Sequence, residues 1–175
     1  VVRRQRQRCI RDSNKATLDD VHEKLISERK IDMVEVHNHM EYYPLSFDWI
    51  NKYDLAPSAN SDTHDVITNE YGTAKMARPF TLVFAKERSE AAIKEALIAR
   101  RTAAFFNNII MAKEEWAKKL FWASVKYRIL SIDGMSAMVE VENISDIPFI
   151  VRKSANEKIT LPAKKIIRTK FTAPG

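Results

Sequence analysis

The amino-acid sequence predicts an α/β domain followed by a small antiparallel β domain. Helical and strand-like apolar patterns alternate over residues 17–124, whereas residues 125–175 alternate apolar and polar side chains with a period of two. The 175 residues, 45% of them hydrophobic and 30% charged, suffice for one well-formed domain or two small ones. No apolar run approaches the roughly 20 residues that a membrane helix needs, so we expect a soluble protein without a membrane partner.

A basic arm over residues 1–16 precedes the first domain. The net charge is +6, and five arginines lie within the first eleven residues: Arg3, Arg4, Arg6, Arg8 and Arg11. Such a terminus can contact nucleic acid, but no aromatic stacking residues accompany the arginines, so a solvated end is expected and a nucleic-acid partner is not. Cys9, the only cysteine, excludes an internal disulfide framework and leaves both the cytoplasm and the periplasm open as compartments.

The first half of the α/β domain contains two short helices and two strands. Apolar residues recur at helical spacing over 17–29, with Thr17 as the expected N-cap. Residues 31–37 form a short strand, and Pro44 opens a second helix because proline is tolerated in a first turn. Residues 56–61 return as a strand, in which Pro57 indicates an edge position.

A loop over residues 65–79 leads to the second half of this domain. Residues 80–85 form a continuous apolar run, which is typical of a strand inside a parallel sheet. Ser89 caps a third helix that extends to Arg101, and residues 102–106 form another strand. Asn107 and Asn108 end that strand, and a fourth helix follows over residues 113–123.

The β domain begins with a predicted hairpin. Residues 125–130 alternate apolar and polar side chains, Asp133-Gly134 marks a tight turn, and residues 138–142 form the partner strand. Shorter apolar runs follow at residues 149–151, 159–161 and 166–171. Together these runs predict an antiparallel set of about four or five strands.

Three of the four histidines, His37, His39 and His64, fall just past the ends of predicted strands. In parallel α/β architectures, catalytic groups gather at the carboxyl ends of the strands. Because residues i and i+2 of an extended segment project to the same side, Asp62 and His64 can reach one centre, as can His37 and His39. A carboxylate with several imidazoles suits Zn²⁺, Mn²⁺ or Fe²⁺. Alternatively, these pairs occur by chance on polar loops, with Asp62 serving as a turn former.

Glu35 admits three interpretations: a metal ligand, a carboxylate that orients an imidazole, or a charge at a strand end.

The sequence contains only three glycines, Gly72, Gly134 and Gly175. The chain therefore lacks the glycine-rich phosphate loop of P-loop and Rossmann proteins, and nucleotide cradles of those kinds are excluded.

An ordered series of motifs resembles the C-terminal part of bacterial phosphoesterases with the PHP (polymerase and histidinol phosphatase) domain. The series begins with Val34-Glu35-Val36-His37-Asn38, Glu41-Tyr42-Tyr43-Pro44 and Asn60-Ser61-Asp62-Thr63-His64. It continues through residues 78–89, 94–97 and 100–103. The resemblance implies part of a distorted (β/α) PHP-type barrel, followed by the small β domain that this subgroup carries.

The resemblance also implies a cluster of two or three divalent metal ions in the complete domain. The Asp-x-His motif of the family supplies two ligands, which fall here on Asp62 and His64. We place Glu35, Asn38, Asn60 and Ser61 in the lining of the pocket. His37 and His39 remain candidate ligands from their spacing alone, at positions where the family is not expected to carry histidine. The other family ligands would lie upstream of Glu35, so we expect the closing portion of a larger enzyme.

The function that follows is metal-dependent hydrolysis of a small phosphate ester. A metal-bound hydroxide would attack phosphorus, while the metal ions neutralise the phosphoryl oxygens. Arg88, Arg100 or Arg101 could assist the phosphate group, or each could simply lie on a helix surface. The alternative function is a non-catalytic interaction or structural module.

Overall fold

The computed structural model describes residues 18–72, 77–153 and 157–172. The basic arm, Cys9 and the expected cap Thr17 lie outside the described residues. The described residues form a mixed α/β chain with small sheets, and no closed barrel is present among them. They divide into two compact units, one up to Trp116 and the other from Ala117. None of the helices in the described ranges is long and apolar enough to span a membrane.

The first sheet of the N-terminal unit carries the strand ends that matter for function. It contains β1 (Met33–Asn38), β2 (Glu41–Tyr42) and β3 (Ala56–Asn60) in the order β2-β1-β3. β1 and β3 run parallel, so their carboxyl ends meet at one edge of the sheet. β3 is one of the two edge strands of this sheet, a position in which Pro57 is tolerated although it lacks a backbone N–H.

Helices α1 (Asp20–Ser27) and α2 (Ser46–Tyr53) accompany this sheet. α1 begins after Asp19, whose backbone N–H donates to Nδ1 of His22 at 3.3 Å. α2 connects β2 to β3 and buries Ile50 fully against the sheet core, which also contains Val36 and Leu55. Burying a side chain of this size contributes about 1.5–3 kcal/mol, so this core holds the two strand ends in place.

The second sheet corrects the expectation of a parallel arrangement. It contains β4 (Phe80–Val83), β5 (Thr102–Phe106) and β6 (Ile109–Ala112), and both pairings are antiparallel. Helix α3 (Glu90–Ile98), whose N-cap Ser89 accepts from the Ala92 N–H at 3.2 Å, connects β4 to β5. The direction of β4 was predicted wrongly because a continuous apolar run indicates that both faces of a strand are buried, but does not indicate whether the strand runs parallel or antiparallel to its neighbour.

Strand β6 was missing from the sequence prediction. Asn107 and Asn108 end β5 as expected, but they have φ angles of 48° and 63° and form a two-residue hairpin turn. Asparagine tolerates this left-handed region better than most residues, and consecutive positive φ angles match the twist of a hairpin. The chain therefore turns back as β6 before helix α4 (Glu114–Ser124) begins.

The C-terminal unit contains five strands that agree with the predicted runs. β7 (Val125–Asp133), β8 (Ser136–Asn143) and β11 (Ile166–Thr172) form an antiparallel sheet in the order β11-β8-β7. β9 (Phe149–Arg152) and β10 (Lys158–Leu161) form a separate antiparallel pair. Gly134, with φ of 53°, makes the turn between β7 and β8.

Candidate functional site

The carboxyl ends of β1 and β3 are joined to each other. Asn38 and Asn60 are register partners, and the backbone N–H of His39 donates to the Asn60 carbonyl at 3.0 Å. Immediately beyond these ends, His39 and Asp62 adopt positive φ angles of 52° and 49°. Non-glycine residues rarely take this conformation, and it turns both chains away from the sheet at the same edge.

An open pocket of about 470 Å³ lies at this edge. Its lining combines polar and ionisable side chains: Asn38, His39, Glu41, Tyr43, Asp62, His64 and Glu70. Four of the residues singled out from the sequence are therefore brought together. Asp62 and His64, the Asp-x-His pair after β3, share the pocket with His39 and Asn38 after β1.

A tyrosine fixes the protonation pattern of His39. The Tyr71 hydroxyl donates its single proton to the Ser61 carbonyl at 2.7 Å and lies 3.2 Å from Nδ1 of His39. Since that proton is already used, Nδ1 must be the donor of the second hydrogen bond. This network assigns the Nδ1–H tautomer to neutral His39, so Nε2 carries the lone pair. A lone pair on Nε2 can bind a cation or accept a proton.

Glu70 lies beside this pair and was missed in the sequence analysis. Its Oε2 accepts from the Thr63 hydroxyl at 3.1 Å and lies 3.8 Å from Nδ1 of His39. Burial raises the pKa of Tyr71, and the negative charges of Glu70 and Asp62 raise it further. Glu70 and Tyr71 belong to a π-helical turn, Thr68–Gly72, within the loop that was assigned no role. The one signal was Tyr71, the only aromatic residue in the loop over residues 65–79.

Glu35 ties the two strand ends together. Its carboxylate accepts from Nδ2 of Asn38 at 3.0 Å and also from Nδ2 of Asn60. Of the four predicted lining residues, only Asn38 is among those that line the pocket. Glu35, Asn60 and Ser61 instead connect the strand ends, Ser61 through the bond from Tyr71. None of the three interpretations considered for Glu35 describes this arrangement, in which its carboxylate accepts from two side-chain amides.

His37 does not line the pocket with His39, contrary to the expectation that the two imidazoles reach one centre. It belongs to β1 itself, is 6% exposed, and its ring lies 4.3 Å from that of Phe106. Burial lowers the pKa of His37, and a hydrogen bond with the His39 backbone opposes this shift. The expected same-side alternation fails because His39 turns into the left-handed region. His37 is thus a core residue, whereas His39 lines the pocket.

None of the arginines considered as phosphate ligands is among the residues that line the pocket. Arg100 donates to Asp54 at 2.9 Å and to Asp32 at 3.4 Å, and these aspartates precede β3 and β1. Arg100 therefore lies at the amino ends of the parallel strands, opposite the pocket. Arg101 pairs with Glu95 and donates to the Phe84 carbonyl at 3.1 Å. Arg88 is exposed just before α3.

The lining residues carry donor atoms of the types that bind a divalent cation. Carboxylate oxygens and imidazole nitrogens are the ligands that Zn²⁺, Mn²⁺ and Fe²⁺ accept. In the described part of the chain, however, no three His, Cys, Asp or Glu side chains are close enough together to hold a metal ion. The described side chains thus do not by themselves form a metal site.

Comparison with known proteins adds one related structure. The chain is similar to a crystal structure from Bacteroides vulgatus ATCC 8482, a two-domain protein containing a predicted PHP-like metal-dependent phosphoesterase. The two are 28% identical with a TM-score of 0.80, and the match covers 90% of this chain and 48% of that one. This chain therefore spans about half the length of that protein. No protein-family model and no curated protein matched the sequence.

Proposed function

We propose that this chain takes part in metal-dependent hydrolysis of a small phosphate ester as a PHP-like phosphoesterase. The observation that carries the proposal is the charge of the pocket. Three carboxylates line it, those of Glu41, Asp62 and Glu70, and no lysine or arginine is among the described lining residues. These three carboxylates would repel a phosphate group unless a divalent cation intervened. The similarity to the PHP-like structure supports the same conclusion.

Asp62 and His64 are the residues that we propose to hold the metal. They follow β3 in the chain, and both line the pocket although Asp62 has a positive φ angle, so the pocket lining and not extended alternation places them together. A bound divalent ion would neutralise phosphoryl oxygens and lower the pKa of a bound water. The remaining ligands would come from water, from the substrate or from residues other than the described ones, because no third His, Asp or Glu of the described part of the chain is close enough to this pair.

The chain's own groups would orient the substrate and handle protons. His39, held as the Nδ1–H tautomer by Tyr71, keeps Nε2 as an acceptor at the pocket. Tyr43 donates to Oε2 of Glu41 at 2.7 Å and so orients that carboxylate. The carboxylate of Glu35 accepts from the side-chain amide of Asn38 and so holds the end of β1 in position.

The test measures metal binding and turnover in the same samples. Co²⁺ binding is followed by visible absorption, bound Mn²⁺ and Zn²⁺ by mass spectrometry, and hydrolysis with an aryl phosphate. We expect Asp62→Asn and His64→Asn each to weaken Co²⁺ binding by about tenfold or more and to remove metal-dependent turnover. Asp48→Asn is the matched control, because Asp48 is an exposed carboxylate on α2.

Two outcomes contradict the proposal. Metal affinity that is the same in the wild type and in Asp62→Asn would show that the Asp-x-His pair is not a ligand pair. Metal binding through this pair without any turnover would favour the alternative of a non-catalytic module.

A further inference from the structure

In the described part of the C-terminal unit, an apolar strip of the three-stranded sheet is exposed. The register pairs apolar residues of β7 with core-facing residues of β8: Tyr127 with Val141, Ile129 with Val139, and Ile132 with Ala137. Val139 and Val141 are buried in the core of this unit, so the paired β7 residues share the core-facing side. Nevertheless, Tyr127 is 64% exposed, Ile129 52% and Ile132 71%. We call these three residues the β7 strip.

A β-bulge makes the strip continuous. The pairing of β7 with β8 shifts between Ile129 and Ser131, so Leu130 is an extra residue in β7. Because side chains alternate along a strand, Ile132 would face the other side of the sheet without this extra residue. The bulge therefore aligns all three apolar side chains on the side where neighbouring β8 residues are buried.

β7 also has a backbone edge that pairs with no other strand among the described residues. It lies at the end of the sheet order β11-β8-β7 and is nine residues long. A long edge strand presents a row of backbone N–H and C=O groups that can pair with another strand. Such an edge next to an exposed apolar strip is the arrangement used in strand-addition interfaces.

We propose that a second copy of this chain covers the β7 strip, by antiparallel pairing of the two β7 strands about a two-fold axis. Two of the three charged residues of β7 are complementary when Ile129 lies opposite Leu130 of the second copy, and the third, Arg128, pairs with Glu140 of its own sheet. In that register Lys126 lies opposite Asp133 of the second copy at both ends, and Tyr127 lies opposite Ile132. A shift of one residue would instead place Lys126 opposite Ile132, losing both ion pairs.

The test is the molar mass of the full chain in solution, by light scattering and sedimentation equilibrium over about 1–300 µM. We expect a dimer that Ile129→Glu converts to a monomer. Ile166→Glu is the matched control, because Ile166 is 58% exposed on β11, the opposite edge strand of the same sheet. Circular dichroism and thermal melting verify that each variant folds.

Charge reversal tests the register itself. Lys126→Asp and Asp133→Lys should each weaken dimerisation by about tenfold or more through like-charge contacts, and the double variant should restore it. Lys126 also lies opposite Glu142 of its own sheet. That neighbour is the same in the single and double variants, so rescue by the second substitution reports the intermolecular contact. A wild-type monomer throughout the concentration range, a dimer that survives Ile129→Glu, or a double variant without rescue would each overturn the proposal.

Discussion

Replacing Tyr71 with phenylalanine removes one hydroxyl group that joins the two strand ends of the candidate site. The hydroxyl donates to the Ser61 carbonyl after β3 and accepts from Nδ1 of His39 after β1. The ring is retained, and because Tyr71 is 3% exposed its packing in the core should persist. The substitution therefore isolates the effect of the two hydrogen bonds.

The expected loss of stability follows from those two bonds. Each contributes about 0.5–1.5 kcal/mol net, so the free energy of unfolding of the N-terminal unit should fall by about 1–3 kcal/mol. A second effect is chemical. Without the hydroxyl as acceptor, His39 loses the partner that holds its proton on Nδ1, and the Nε2–H tautomer should become populated.

Two measurements follow these effects separately. Urea unfolding monitored by amide signals of β1 and β3 reports the stability of the N-terminal unit, and ¹⁵N chemical shifts of the His39 ring at pH 8 report its tautomer. Tyr53→Phe is the control, because the Tyr53 hydroxyl donates to the exposed carboxylate of Glu23. It should cost less stability and leave the His39 ring unchanged.

The reasoning is refuted if neutral His39 already carries its proton on Nε2 in the wild-type protein. It is also refuted if Tyr71→Phe is no less stable than Tyr53→Phe. Either result would mean that Tyr71 packs in the core without positioning the imidazole.

Three further predictions concern other parts of the fold. Burial lowers the pKa of His37 in the folded state, so the unfolded chain takes up that proton first as the pH falls. The free energy of unfolding should therefore decrease below about pH 6.5, by at most about 1.4 kcal/mol per pH unit. Urea unfolding at several pH values should show a weaker dependence of stability on pH for His37→Leu, and an unchanged dependence contradicts this. Arg100→Met should lower the free energy of unfolding by up to about 2 kcal/mol by removing the ion pairs with the exposed carboxylates of Asp32 and Asp54, with a smaller loss in 1 M salt. The exposed Arg88→Met is the control, and equal losses would disprove the role of Arg100. In the hairpin turn, Asn108→Val should lower the free energy of unfolding by about 1–2 kcal/mol, because valine does not tolerate the φ angle of 63° at this position. Asn108→Gly should not lower it, because glycine adopts positive φ freely. Equal effects of the two substitutions in thermal melts would exclude backbone strain as the cause.

Local patterns in the sequence determined the helices, most strands and the Asp-x-His pair. Ser89 predicted the start of α3 because its hydroxyl caps the helix within three residues. Asp133-Gly134 predicted the β7–β8 hairpin because the turn needs a residue with positive φ. These features depend on residues close together in the chain, and the sequence displays such residues directly.

Only the tertiary structure decided which side chains meet at the pocket. The left-handed conformation of His39 separates it from His37, sending one imidazole to the pocket and the other into the core. The partner of His39 is Tyr71, 32 residues further along the chain. Likewise, the direction of β4 and the exposure of the β7 strip depend on which neighbouring strands are present. The spacing of residues along the chain shows the periodicity of a segment. Which strands pair and which side chains are buried depend on contacts between residues far apart in the chain.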